Sequence, residues 1–379
     1  MKIFAKRLWF VRVAFLLGAC DSNVHSADDV AAELASEAST SATAGVTGAI
    51  EGDASASAVT VNPRLLRRFK PLRDALVAEG DVNARAQVDL GRMLYFETRL
   101  SKNHDVSCNS CHKLDAYGVD GERTSRGHRQ QRGTRNSPTV YNAAGHFAQF
   151  WDGRADTIEA QATAPIVNPL EMALASHADA ERVLRSIPEY RTRFAAAFPS
   201  DAEPVSAANI GKALGAFERG LVTPSRWDSY LKGDKRALVA QEVEGLAVFT
   251  SVGCMVCHTG EFLGGSMFEK AGVVEDWPNQ ADQGRFDVSR NPGDRMMFKV
   301  PTLRNVEKTA PYFHDGSAAT LDDAVRMMGR HQLGLELTQR ERASIVAWLR
   351  SLTGALPNEY VRAPALPAAS AETPHPDPT

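Results

Sequence analysis

The chain has 379 residues, 43% hydrophobic and 23% charged, which gives it room for two domains of ordinary globular composition. Its formal net charge of −3 offers no basic stripe to track a phosphate backbone, so a nucleic-acid partner has no electrostatic support.

Lys2, Lys6 and Arg7 precede a mostly apolar run from Leu8 to Ala19, the pattern of an export signal and too short for a membrane span. The run ends Leu17-Gly18-Ala19-Cys20, which looks like a lipobox, although Arg12 interrupts it. The reading is a lipoprotein-type signal over 1–19, a lipid anchor on Cys20 as the membrane attachment, and a periplasmic location. The alternative is cleavage elsewhere, with Cys20 discarded or free. Loss of 1–19 removes Lys2, Lys6, Arg7 and Arg12 and leaves a body of charge −7.

Residues 20–62 are Ala, Ser, Thr, Gly and Asp with few large apolar side chains, a composition that reads as a disordered tether. Helical signals follow. Asn83 is placed to cap a segment whose apolar face is Val88, Leu90, Met93 and Leu94. Ile210, Leu214, Phe217 and Leu221 recur at helical spacing, and 237–249 is a further helix leading into a pair of cysteines. Thr338-x-x-Glu341 is a capping-box pattern ahead of Ile345, Val346, Leu349 and Leu352, with a stop expected at Gly354. The Pro- and Ala-rich residues 357–379 read as a disordered tail. The expected fold is mainly α with long loops.

Four of the five cysteines fall into Cys108-Asn109-Ser110-Cys111-His112 and Cys254-Met255-Val256-Cys257-His258. C-x-x-C-H is the pattern of c-type haem attachment: two thiols form thioethers with the haem vinyls while the adjacent His reaches the iron. Zinc pairs are usually about 12 to 20 residues apart in sequence, whereas 142 residues lie between Cys111 and Cys254. A thioredoxin-like dithiol needs a βαβ context, which is missing, and two disulfides would leave each following His an accident. Two covalently bound haems c are therefore expected. The sixth ligand then decides between peroxide binding and electron carriage. His128 follows His112 by sixteen residues, while Met296, Met297, Met327 and Met328 follow the second pair. The residues alone leave the choice among them open.

Several separated motifs carry a family likeness: Leu90-Gly91-Arg92-Met93-Leu94, Gly127-His128, Arg135-Asn136-Ser137-Pro138-Thr139, Gln149-Phe150-Trp151-Asp152-Gly153-Arg154, Phe298 to Asn305, and Pro311-Tyr312-Phe313-His314-Asp315-Gly316. Over roughly residues 80–355 the sequence closely resembles the bacterial di-haem cytochrome c peroxidases. The resemblance implies two cytochrome c-like haem domains, an N-terminal peroxidatic one over 63–222 and a C-terminal electron-transfer one over 223–356. It makes His112 the proximal and His128 the displaceable distal ligand of the first haem, and His258 and Met328 the ligands of the second. Trp151 matches the residue between the haems, a plausible electron relay. Asn136, Thr309 and Pro311 match an interdomain calcium site. Glu171 and Gln161 match polar groups over the peroxidatic iron, Glu171 as the proton carrier and Gln161 as the group that orients peroxide. The alternative for Glu171 is a helix cap.

The implied activity is reduction of hydrogen peroxide to water, with electrons from a small periplasmic cytochrome c or cupredoxin, in a homodimer. MauG-like enzymes resemble the chain as well, but they carry Tyr at the position of Met328 and lack the displaceable His. A di-haem electron-transfer protein without chemistry is the other alternative. Arg123, Arg126, Arg129, Arg132 and Arg135 recur around His128, as a solvated basic loop, as cations near haem propionates, or as a loop that swings on activation, and the sequence leaves these open.

Overall fold

The structure, a computed structural model, describes residues 61–74 and 84–379. The signal segment, the Cys20 anchor, nearly all of the tether and the Asn83 cap lie outside the described residues. Among the described residues no helix is long and apolar enough to cross a membrane.

Short helices joined by long irregular segments make up the architecture, with α1 at Pro63–Leu66 and α2 at Ala84–Phe96. The first C-x-x-C turn is itself a short helix, α3 (Cys108–Cys111). Next come α4 (Ile158–Thr163), α5 (His177–Ser186), α6 (Pro188–Ala197), α7 (Ala207–Glu218), α8 (Arg226–Leu231) and α9 (Ala240–Ser251). A three-residue antiparallel ladder joins β1 (Phe268–Lys270) to β2 (Met297–Lys299), with Phe268 opposite Lys299. The remaining helices are α10 (Phe286–Ser289), α11 (Leu321–Leu333) and α12 (Gln339–Arg350). The fold is mainly α, as expected.

Buried apolar side chains gather into two large clusters within one compact unit, residues 58–379. In the first, α2 lies along α7. Leu90 and Leu94 of α2 meet Ile210, Leu214 and Phe217 of α7, all within the buried set. Ser206 caps α7 by accepting the Asn209 amide. The backbones come so close that a Cβ at Gly91 would lie 1.9 Å from the carbonyl oxygen of Ala213. The second cluster repeats the device with α9 on α12, where a Cβ at Gly245 would lie 1.8 Å from the Ser344 carbonyl. Trp227, Trp348, Phe69, Leu246 and Leu349 fill that core.

The Thr338 capping box forms in both directions: the Thr338 amide donates to Glu341 at 2.7 Å and the Glu341 amide to Thr338 Oγ1 at 3.3 Å. The helix it opens ends at Arg350, earlier than Gly354, because Gly354 leaves it to bridge to Ser225.

Residues 357–379 depart from the expectation of a disordered tail. Tyr360 stacks on Phe217 at 5.2 Å and donates its hydroxyl to the Phe217 carbonyl at 2.6 Å. Val361 and Thr373 are buried. Arg99 donates to the Pro367 carbonyl, Ser370 to the Ser186 carbonyl, and the Asp377 amide to the Lys102 carbonyl. Between two short turns, in which the Tyr360 amide donates to the Pro357 carbonyl and the Thr373 amide to the Ser370 carbonyl, the segment has backbone groups left to dock on a surface that other elements already supply.

Candidate functional site

Both C-x-x-C-H turns open into one cavity of about 940 Å³. Its wall includes Cys108, Cys111, His112, Cys254, Cys257 and His258. The four cysteines are free thiols, which removes the disulfide alternative. Burial pushes Cys108 and Cys254 up to about 12, and Cys111 and Cys257 up to about 11. Such thiols are neutral at physiological pH, packed in apolar surroundings.

The two histidines are wired alike. In each turn the His amide donates to the carbonyl of the first Cys, His112 to Cys108 at 2.9 Å and His258 to Cys254 at 3.1 Å. His112 Nδ1 lies 3.3 Å from the Gly118 carbonyl, and His258 Nδ1 lies 3.0 Å from the Leu263 carbonyl. A carbonyl only accepts, so Nδ1 carries the proton in both rings and Nε2 keeps its lone pair for a metal. Burial lowers the basicity of both imidazoles and favours that neutral form. Tyr95 fixes the first turn by donating to the His112 carbonyl at 2.8 Å.

Opposite these turns the cavity wall differs. Glu171 lies near enough to Cys108 and Cys111 for its charge to bear on both thiols. Its pKa is raised by burial, against the pull of Arg154 and a hydrogen bond from Asn168 at 2.7 Å. Gln161, on α4, lines the same cavity. The helix-cap alternative for Glu171 fails, since the next helix, α5, is capped by Ser176 accepting the Asp179 amide. Glu218, the last residue of α7, is 4% exposed, has one carboxyl oxygen without a partner, and is pushed up to about 8, chiefly by burial.

Of the four downstream methionines only Met328, on α11, lines the cavity. It packs against the cluster of Trp277, Met296 and Phe298. Trp151 also lines the cavity and anchors itself by donating Nε1 to the Asn136 carbonyl at 2.9 Å. Asn136, Thr309 and Pro311 lie on the wall too. Among the described residues no group of three or more His, Cys, Asp or Glu side chains gathers to hold a metal. A cation beside these three would rest on neutral oxygens.

His128 stands apart. Its ring is buried with neither nitrogen partnered, and it is not on the cavity wall, although its neighbour Gly127 is. Its amide donates to the Glu171 carbonyl at 2.7 Å, and Arg129 and Gln130 after it both have positive φ, +56° and +59°. Consecutive left-handed non-glycine residues are strained and persist where surrounding structure holds them. Of the surrounding arginines Arg135 alone lines the cavity, tied to Asp152 and Asp282. Arg123, Arg126, Arg129 and Arg132 are exposed.

His146, Lys299, Trp277 and Glu218 are among the polar and aromatic wall residues to which sequence reasoning gives no role. Lys299 sits inside a recognised motif between Phe298 and Val300, and a lysine in an apolar strand is the one signal that marked it.

A mainly helical chain with two identically wired C-x-x-C-H turns facing one cavity has the donor set of a protein that carries two haems. The comparisons agree. The profile of the di-haem cytochrome c peroxidases matches residues 85–236. The cytochrome c551 peroxidase of Nitrosomonas europaea is 48% identical, over 76% of this chain and 86% of that protein. The cytochrome c551 peroxidase of Pseudomonas aeruginosa is 44% identical, over 81% and 90%. The methylamine utilization protein MauG of Methylorubrum extorquens is 34% identical, over 70% and 78%. Among solved structures, a MauG-like protein associated with microbial copper homeostasis superposes with a TM-score of 0.68 at 29% identity, covering 78% of this chain and 96% of that one.

The chain belongs to the di-haem cytochrome c peroxidase family. It is a haem-dependent oxidoreductase with peroxide as its substrate.

Proposed function

We propose that the cavity holds two haems c, covalently bound through Cys108 and Cys111 and through Cys254 and Cys257, with His112 and His258 as the proximal ligands. Bound there, haem supplies the redox chemistry that cleaves the O–O bond and stores the electrons. The observation that carries the reading is the pairing of two free thiols with a histidine whose Nδ1 is already committed to a carbonyl, twice over, in one cavity.

The chain's own residues divide the remaining work. Glu171 moves a proton from one peroxide oxygen to the departing one, and its raised pKa suits a group that must both take and give that proton. Gln161 orients peroxide by hydrogen bonding without competing for the proton. Met328 offers a thioether at the second site, where such a ligand favours the reduced state. His128, on its strained turn, is the displaceable ligand of the first site, and the unpartnered ring is consistent with a residue that has two resting places. Trp151 bridges the two sites as relay.

The same reading divides the chain into haem domains at 63–222 and 223–356, and gives calcium to Asn136, Thr309 and Pro311. It takes a small cytochrome c or a cupredoxin as donor. It places the protein in the periplasm as a homodimer, tethered by a lipid on Cys20.

The test is a pyridine haemochrome count on denatured, washed protein, followed by peroxide turnover of the half-reduced enzyme. Two haems that stay with the chain and turnover on half-reduction are expected. One haem or none overturns the reading.

A further inference from the structure

The turn that carries His128 is gripped from outside the cavity, by the segment whose composition reads as a disordered tail. The His128 ring is withdrawn: both nitrogens are buried without a partner, and the residue is off the cavity wall. Arg129 and Gln130 behind it have φ of +56° and +59°, a strained run that persists only where other contacts hold it. The turn closes through the Gly127 amide on the Gln131 carbonyl at 2.9 Å. It leans on residues 170–171: a Cβ at Gly127 would lie 2.1 Å from the Leu170 carbonyl oxygen, and the His128 amide donates to the Glu171 carbonyl.

A further contact on the turn comes from 250 residues away, where Arg129 Nη1 donates to the Thr379 carbonyl at 3.1 Å. Thr379 is itself fixed, since Asp377 accepts from its amide at 2.9 Å and from its hydroxyl at 2.6 Å. Asp377 is anchored in turn on Lys102, whose carbonyl accepts the Asp377 amide at 2.9 Å and whose ammonium lies 3.4 Å from the Asp377 carboxylate. The Lys102 amide donates to the Met172 carbonyl at 2.8 Å. Residues 170–172 are therefore a shared base, with the His128 turn on one part and Lys102 on the other, and residues 377–379 span the two. The root of this span is secured separately, by the buried Thr373 and by Ser370 donating to the Ser186 carbonyl at 2.7 Å. Other arginines of the loop are spent elsewhere: Arg123 on the Asp315 carbonyl, Arg132 on Glu122, and Arg135 on Asp152 and Asp282.

A contact made in one of two conformations and lost in the other shifts their equilibrium by its own free energy. We propose that residues 377–379 are a positioning hook that, through Arg129, holds the His128 turn in its withdrawn place and so biases the first site towards the open state. The inference rests on the reading of His128 as the displaceable ligand of that site. Arg129 is exposed, so the hook is a bias and not a lock. One such hydrogen bond shifts the ratio of withdrawn to ligating turns by about two- to tenfold. A switch that must run in both directions needs a bias of that size, because a much tighter hold would fix the turn in one place.

The test reads the spin state of the first haem in half-reduced holoprotein by electron paramagnetic resonance, where an open iron is high-spin and a bis-histidine iron is low-spin. His128→Gly is the control for the underlying reading. If it stays low-spin, His128 is not the ligand, and that reading and the hook fall together. If it is high-spin, the hook stands or falls on its own variants. Arg129→Ala removes the donor and leaves a left-handed non-glycine residue in place, and a chain ended at Thr373 removes the hook but keeps its root. Each should lower the ratio of high-spin to low-spin iron by about two- to tenfold. Arg129→Lys, which keeps a cationic donor, should stay nearer wild type. Arg129→Ala in the shortened chain should add nothing, because both changes remove one interaction. A ratio that does not move in Arg129→Ala overturns the hook, also where the shortened chain melts earlier, since the tail then serves stability alone. A ratio that rises overturns it as well, because the tail would then be holding His128 on the iron.

Discussion

At the first C-x-x-C-H turn the His112 ring is pinned through Nδ1 to Gly118, and at the second the His258 ring is pinned through Nδ1 to Leu263. Each turn hangs on a helix pair whose close crossing runs through a glycine, Gly91 in one half and Gly245 in the other. On the metal-binding side, then, the halves are near copies. Across the cavity they diverge. The first turn faces titratable and amide groups, Glu171 and Gln161, with Glu218 in its wall. Elsewhere on the same wall Met328 packs against Trp277, Phe298 and Met296. Proximal wiring therefore says only that a haem can be held. Under the proposed function the rest of the wall sets what each site does: proton traffic at the first, and a soft sulfur donor in an apolar shell suited to electron storage at the second.

The comparison breaks most sharply if the second site is given the first site's ligand chemistry. Met328→His should lower the potential of the C-terminal haem, because an imidazole favours ferric iron more than a thioether does. Half-reduction would then no longer select that site, and reductive activation should be lost entirely. An unchanged redox titration would move the ligand to another methionine, against the finding that Met328 alone of the four lines the cavity.

Removing the proton carrier from the first site is the next largest effect. General acid–base catalysis is typically worth about 10² to 10⁴ in rate, so Glu171→Gln should lose most of that in kcat while keeping both haems. Its thermal stability should hold, since Glu171 caps no helix. Near-normal turnover would retire it as the catalytic residue.

The asymmetry was partly legible in the sequence. The cysteine pairs, the histidines after them and the helices α2, α7, α9 and α12 follow from local pattern, and the structure forms all four, with α7 ending at Glu218 before Leu221, α9 running from Ala240 to Ser251 rather than over 237–249, and α12 stopping at Arg350 before Gly354. The buried contact of His146 with Lys299 was not legible, because nothing local reveals that residues 153 positions apart meet. The tail failed for the opposite reason. Its composition lacks any apolar period, which correctly says it has no core of its own, yet Tyr360 and Ser370 dock onto Phe217 and Ser186 and borrow one. His128 was found from its motif, but its place off the cavity wall depends on two left-handed residues that no spacing rule announces.

The smallest effect separates the two halves by acidity alone. Glu218 is buried in the wall of the first site with one oxygen unpartnered, near the like charge of Glu159, which is itself paired to Arg219 at 2.5 Å. Its carboxyl is pushed from 4.5 to about 8, first by burial and then by Glu159, with Arg219 opposing. The sign follows from proton counting. Between those two values the folded chain holds a proton at this position that the unfolded chain has released, so folding stability falls as pH rises from about 4.5 towards about 8 and levels off above it. No such buried, unpartnered carboxylate is found on the second half's side among the described residues, where Glu269 lines the wall beside Cys257 and is not orphaned. Glu218→Gln keeps the shape and removes the titration. Thermal unfolding of the holoprotein followed by circular dichroism from about pH 5 to 8 should therefore show a declining midpoint in the wild type and a flatter one in the variant. The two should lie closest at the acid end, where the folded wild-type carboxyl is protonated and the least of its proton-linked stability has been lost. Parallel curves would mean that Glu218 is already ionised and paired when the haems are in place, and the acid lining of the first site would then reduce to Glu171.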